Sequence, residues 1–353
     1  MKKLNAGSGG ARLRHSAVFI LLLICIVISP ASAQNVQRFA DIGNLVLESG
    51  DTVYNCRIGY RTAGALNADS SNVIVYLTWF GGMSENLYSL MGSGRILDTT
   101  GRFVIMIDAL GNGVSTSASH PNEKNAKAFA ALSISDMAAS QYILLAEHLG
   151  FRKIHAVMGG SMGSMQALQW MVQYPGYAEK CIAYVPTPKP SVYDQLYWNL
   201  MLNVMQSGID YGVPSKVYMK SVNLFNHLTG RTPDYFVEHT TQEQFDTILA
   251  RSYREPSAVF TPQNQISQLK AMLRHDIYRY TGGKPITDFI GGNTLLIVSE
   301  QDHILHPSTS VKLAEETGCR LHLFDSDCGH LAVNCLMEET RMLIEDFLGQ
   351  NRK

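Results

Sequence analysis

The 353-residue chain is poor in charge, with 17% Asp, Glu, Lys and Arg against 46% hydrophobic residues and a formal net charge of −1. A surface so balanced offers no basic face for nucleic acid and no acidic tail. There is no Cys-x-x-Cys pair, so a structural zinc site has no support. Neither G-x-x-x-x-G-K-[ST] nor G-x-G-x-x-G occurs, which removes the usual phosphate and dinucleotide loops. No internal repeat and no low-complexity tract is present. What is left is the composition of one large globular domain with room for an insertion.

The apolar runs are short as well. The longest, Ala17 to Ile28, follows Lys2, Lys3, Arg12 and Arg14 and precedes Ala31-Ser32-Ala33, the pattern of a secretory leader with its cleavage site. Twelve residues fall short of the roughly 20 that cross a bilayer as a helix. Residues 1–33 are therefore expected to be a signal peptide, leaving a periplasmic or secreted protein of formal charge −5 with no stable membrane anchor. Cys25 follows Ile24, which does not suit lipoprotein processing. Five cysteines remain: Cys56, Cys181, Cys319, Cys328 and Cys335. The odd number leaves at least one thiol or an intermolecular bridge, and Cys328 with Cys335 is the pair expected to bond.

One stretch organises the rest. The β-rich run Ile154 to Met158 meets Gly159-Gly160-Ser161-Met162-Gly163, then apolar residues at helical spacing, Met162, Met165 and Leu168. This predicts strand, sharp turn and helix, with Ser161 exposed at the turn and small residues allowing close packing around it. Other strands are expected at 44–48, 53–62, 72–77, 103–107, 181–185, 294–299 and 320–324. Helices are expected from Ser133 to His148, around 308–316 and from 331 to 348. The alternation implies a mostly parallel α/β sheet with helices on both faces. Between 189 and 290 the pattern is helical and rich in aromatics and methionines, which reads as an inserted helical cap, with the core at 34–188 and 291–353.

A serine needs a base, and the base needs a carboxylate to orient it. Asp302 follows the apolar strand 294–299, and His330 lies in the short loop after the last strand, giving the order Ser161, Asp302, His330. Asp325 and Asp327 suit turn formation instead, Glu300 is a substitute for Asp302, and His155 reads as structural. Asp302, His303 and His306 make a poor metal set because nothing nearby completes it; no metal or cofactor is expected. Oxyanion donors are expected from the backbone N–H groups of Met162 and Phe80. Trp79, beside Phe80, and the cap residues Tyr197 and Trp198 are candidates for contacting substrate. Ordinary packing is the plainer role for these aromatics.

These residues resemble the homoserine O-acetyltransferase family of α/β-hydrolases. The likeness covers 60–67 with Ser71-Asn72, then 110–117, Ile134-Ser135-Asp136-Met137, the elbow 159–163 with 165–170, Asp302 and Gly329-His330. It implies the α/β-hydrolase fold, a Ser161–His330–Asp302 triad, an acyl-enzyme on Ser161 and a helical lid over a substrate tunnel. The chain departs from the family's transferases at Leu331, where they carry an aspartate tied to the amino-acid acceptor, at Thr78 in place of histidine, and at Ser164 in place of glycine. The first expectation is an exported acyl hydrolase or acyltransferase acting on a small ester or thioester, acyl-CoA included. The alternatives are a homoserine O-acetyltransferase using acetyl-CoA and a non-catalytic binding protein. A homodimer is permitted.

Overall fold

The computed structural model describes residues 35–120 and 122–349. The leader expected over 1–33 lies outside the described residues. Eight strands form one sheet: β1 (Arg38–Val46), β2 (Thr52–Gly64), β3 (Val73–Leu77), β4 (Phe103–Ile107), β5 (Ile154–Gly160), β6 (Ala178–Tyr184), β7 (Thr294–Ser299) and β8 (Arg320–Phe324). Their spatial order is β1-β2-β4-β3-β5-β6-β7-β8. The first two pairings, β1–β2 and β2–β4, are antiparallel, and every later one is parallel. Strands β3, β5 and β7 are buried along their whole length, as strands covered on both faces must be.

Helices cover both faces. Before the elbow come α1 (Ser84–Tyr88), α2 (Glu123–Phe129) and α3 (Ile134–Ile143); α4 (Met162–Gln173) follows it. Helix α3 starts where Ser133 and Asp136 suggest, through a reciprocal capping box, but hands over to a π-helical turn at 144–148 instead of running on as regular helix. Between 189 and 290 lie α5 (Val192–Asp210), α6 (Ser215–Gly230), α7 (Pro233–His239), α8 (Gln242–Ser252) and α9 (Pro262–Leu273). Four of these have Ser or Thr at the N-cap, accepting from the third helical N–H. After β7 come α10 (Ser308–Thr317), α11 (Ala332–Cys335) and α12 (Met337–Gly349).

Three expectations need correcting. The first strand spans 38–46, earlier than 44–48, because most of β1 is exposed and its apolar alternation is weak. Strand β6 starts at Ala178, three residues before the expected position. The last helix is not continuous from 331: Leu336, at φ −106° and ψ 43°, leaves the helical region and separates α11 from α12. Cys328 and Cys335, both on the N-terminal side of this break, are disulfide-bonded, while Cys56, Cys181 and Cys319 are buried free thiols. Burial pushes the Cys56 thiol up to about 12, so it is chemically quiet. Among the described residues no helix is long and apolar enough to cross a membrane.

Candidate active site

The parallel order places the carboxyl ends of β5, β7 and β8 on one rim, and loops from those ends bring three distant residues together. Ser161 sits between β5 and α4 at φ 54°, ψ −123°, a strained conformation for a residue with a side chain. Three glycines make the turn fit. A Cβ on Gly159 would collide with the Gly163 backbone, one on Gly163 with the Leu77 carbonyl, and one on Gly160 with the Tyr184 ring. Strand β5, α4 and β3 therefore approach at distances only glycine permits. The Ser164 hydroxyl donates to the Ser161 carbonyl at 2.5 Å, securing the first helical turn.

His330 stands in the turn after β8 with Nε2 3.1 Å from Ser161 Oγ and Nδ1 2.7 Å from Asp302 Oδ2. Asp302 is 4% exposed, and its second oxygen accepts the N–H groups of Ile304 and Leu305 at 2.8 and 2.9 Å. The carboxylate is thus fixed by its own loop. Nδ1 carries the proton in the arrangement these contacts favour, which leaves Nε2 as an acceptor for the serine hydroxyl. The other candidates lie elsewhere. Glu300 is exposed, Asp325 accepts from Gln301, Asp327 faces His239, and His155 contacts Glu179. His306 orients towards Ser308. Among the described residues the group compact enough to share an ion is Glu238, His239 and Asp327, on the surface.

Phe80 lines the same cavity as Ser161, Met162 follows Ser161 as the first residue of α4, and the described hydrogen bonds use neither N–H. Met162 opens α4, so the partial positive charge of the helix start adds to its N–H. The loop holding Phe80 is braced from two directions that sequence reasoning missed. Gln268 of α9 accepts from Gly81 N–H at 3.0 Å and donates to the Leu110 carbonyl at 3.1 Å. From below, Trp170 Nε1 donates to Gln141, Gln141 to Gln166, and Gln166 to the Thr78 carbonyl. Such a buried relay holds geometry better than isolated bonds do. Gln166 lies one helical turn after the elbow and offered a faint signal; Gln268 offered none.

A cavity of about 650 Å³ opens above Ser161 and His330. Trp79, Tyr197 and Trp198 all line it, with Met201, Leu269, Met272, Ile304 and Leu331. The Tyr197 hydroxyl donates to Asn226 Oδ1 at 2.7 Å, and burial pushes its pKa up to about 12. Tyr184, also in the wall, shares a 2.6 Å hydroxyl contact with Tyr76; burial raises both phenols. A second missed residue is Asp194. Buried at the start of α5, it accepts from Ser191 N–H and from His306 N–H, both at 2.8 Å, tying the first helix of the 189–290 segment to the loop that carries Asp302. Burial, with Asp302 nearby, raises its pKa.

The chain matches the sequence profile of the alpha/beta hydrolase fold family over residues 72–333. The ethyl acetate hydrolase of Pseudomonas veronii is 30% identical over 261 residues, which is 69% of this chain and 73% of that protein. A homoserine O-acetyltransferase of Geotalea daltonii is 37% identical over 166 residues, 42% of this chain and 45% of the transferase. That match spans under half of the transferase's length. Among solved structures, the acetyl esterase MekB superposes with a TM-score of 0.80 at 25% identity, over 90% of this chain and 96% of MekB. The homoserine O-acetyltransferase from Bacillus anthracis does so at 0.78 and 21% identity, over 89% and 98%, a likeness of fold alone.

Proposed function

Because the chain belongs to the alpha/beta hydrolase fold family, with esterases and homoserine O-acetyltransferases among its relatives, we propose that it is a serine ester hydrolase working through an acyl-enzyme on Ser161. The observation that carries this reading is the unbroken contact from Asp302 through His330 to the Ser161 hydroxyl. In the first half-reaction Ser161 Oγ bonds to the carbonyl carbon while its proton passes to His330 Nε2. The oxyanion so formed is held by the N–H groups of Met162 and Phe80. Collapse breaks the bond to the alcohol, which leaves with the proton from His330. Water then gives a proton to Nε2 and attacks the acyl carbon; the bond to Ser161 Oγ breaks, Oγ takes that proton back from His330, and the acid leaves.

Water is the proposed acceptor because Leu331 adjoins His330 and lines the cavity, so this position offers hydrocarbon and no carboxylate for an amino-acid acceptor. The ethyl acetate hydrolase and acetyl esterase relatives support a small acyl group. Transfer to an alcohol from acetyl-CoA is the second reading, favoured by the 37% identity to a homoserine O-acetyltransferase over 166 residues. We also propose action outside the cytoplasm, for which the leader-like residues 1–33 and the Cys328–Cys335 disulfide are the support. The test is a panel of p-nitrophenyl esters beside acetyl-CoA with homoserine, for wild type and Ser161→Ala. Ester hydrolysis lost in Ser161→Ala is expected. Hydrolysis that survives it removes the nucleophile assignment, and CoA-dependent acylation faster than hydrolysis selects the second reading. Fluorophosphonate labelling of wild type at Ser161 rules out a silent binding shell.

A further inference from the structure

A second cavity, of about 440 Å³, adjoins the one over Ser161, and Asn223, Asn226, Phe260 and Gln265 line both. That second space is also lined by His227 of α6, Arg251 in the last turn of α8 and Arg254 just beyond it, with Glu255 the one acid among the lining residues. Among the described residues neither guanidinium has a carboxylate within ion-pair distance. Asn226 spends Oδ1 on Tyr197, which leaves its amide N–H groups for another acceptor.

We propose that the second cavity is an anion-recognition subsite, so that the preferred substrate is an ester or thioester whose arm remote from the scissile bond ends in a carboxylate or phosphate. The argument is chemical. Two guanidinium groups in one concavity present forked donors matched to oxyanions, and a neutral hydrocarbon arm would gain nothing from them. Burial first, then the cations Arg231 and Arg251, lower the proton affinity of His227. His227 therefore lies in the positive field of Arg251, and Arg254 lines the same space. The four shared residues put that field next to the cavity over Ser161. Because both arginines are exposed, the attraction is screened by salt.

The inference rests on ester hydrolysis at Ser161, and the experiment separates the two. p-Nitrophenyl hemi-esters of succinate, adipate and suberate are compared with their methyl-capped neutral counterparts, and acetyl-CoA with acetyl-pantetheine, as ratios of kcat/KM. Wild type is expected to favour the anionic member of at least one pair, with the ratio falling as ionic strength rises. In the double variant Arg251→Gln/Arg254→Gln that ratio should fall about tenfold. A preference within the hemi-ester pairs identifies a carboxylate, and one within the thioester pair a phosphate. A wild-type ratio at or below one throughout, or an equal ratio in the variant, overturns the subsite. If wild type turns over no ester, the reading at Ser161 fails separately. The subsite is then judged by calorimetry on Ser161→Ala with suberate and coenzyme A: binding lost in the arginine variant upholds it, and no binding of either refutes it.

Discussion

Replacing Asp302 by Asn tests the proton path with almost no change in volume. In the native loop the two N–H groups of Ile304 and Leu305 require an acceptor at Oδ1. An asparagine satisfies them only by placing its carbonyl oxygen there, which turns its NH2 towards His330 Nδ1. Nδ1 must then accept, the ring proton moves to Nε2, and Nε2 faces Ser161 Oγ at 3.1 Å as a donor. The base is disabled while every heavy atom stays in place. A histidine locked in the wrong tautomer lowers turnover by about 10⁴, equivalent to about 5.5 kcal/mol of transition-state stabilisation. The assay is kcat/KM for p-nitrophenyl acetate at neutral pH beside the thermal midpoint, which should move by only a few degrees because the loop bonds survive. Activity within tenfold of wild type at an unchanged midpoint would refute the orientation argument and make Asp302 a loop-forming residue only.

Gln268→Ala removes both bonds that hold Gly81 and Leu110, and should cost about 1–3 kcal/mol of stability and lower kcat more than it raises KM, read by urea denaturation and steady-state kinetics. Reduction of Cys328–Cys335 reopens a small loop beside His330; the loss should be about 2–3 kcal/mol, seen as a lower urea midpoint in reductant with ester hydrolysis falling in parallel. Burial lowers His275 to about 4 from an ordinary 6.5, so the unfolded chain protonates first on acidification. Stability should decline from pH 6.5 down to about 4, by up to about 3 kcal/mol, and His275→Gln should flatten that slope in urea midpoints taken across the range.

Sequence placed the strands that are buried on both faces and the loops at their carboxyl ends. These signals are local: an unbroken run of β-branched residues, then glycine, serine, aspartate or histidine where the chain must turn. The contact of Ser161, His330 and Asp302 was legible for that reason, while Phe80 and Met162 stand as the proposed donors. Strand β1 was misplaced because an exposed edge strand needs little apolar alternation, and it bends at Gly43, where its pairing with β2 shifts register. The break at Leu336 was illegible because Leu336 and the Met337-Glu338-Glu339 that follow it are good helix formers with no Gly or Pro to mark a stop. Gln268, Asn226 and Arg251 gave no signal. A polar residue on an amphipathic helix does not announce whether it meets water, a loop or a substrate.

The limits of that legibility follow the way the site is built. The proposed nucleophile, acid and base all stand in loops at the carboxyl ends of sheet strands. The loop bearing the Phe80 N–H is fixed by helices as well, since Gln166 on α4 holds Thr78 and Gln268 on α9 holds Gly81. The acid loop is shared in the same way, with Asp302 following β7 while His306, four residues on, is held by Asp194 on α5. Helices 192–273 therefore do more than line the cavity, because they supply a fixed point for the loop of the proposed Phe80 donor and for the loop of Asp302. Any displacement of α9 relative to the sheet would move the proposed oxyanion donor, and any displacement of α5 would disturb Asp302, the proposed acid. Ground-state shape and transition-state electrostatics thus depend on the same packing, so residues far from Ser161 in sequence and lacking catalytic chemistry still set the rate.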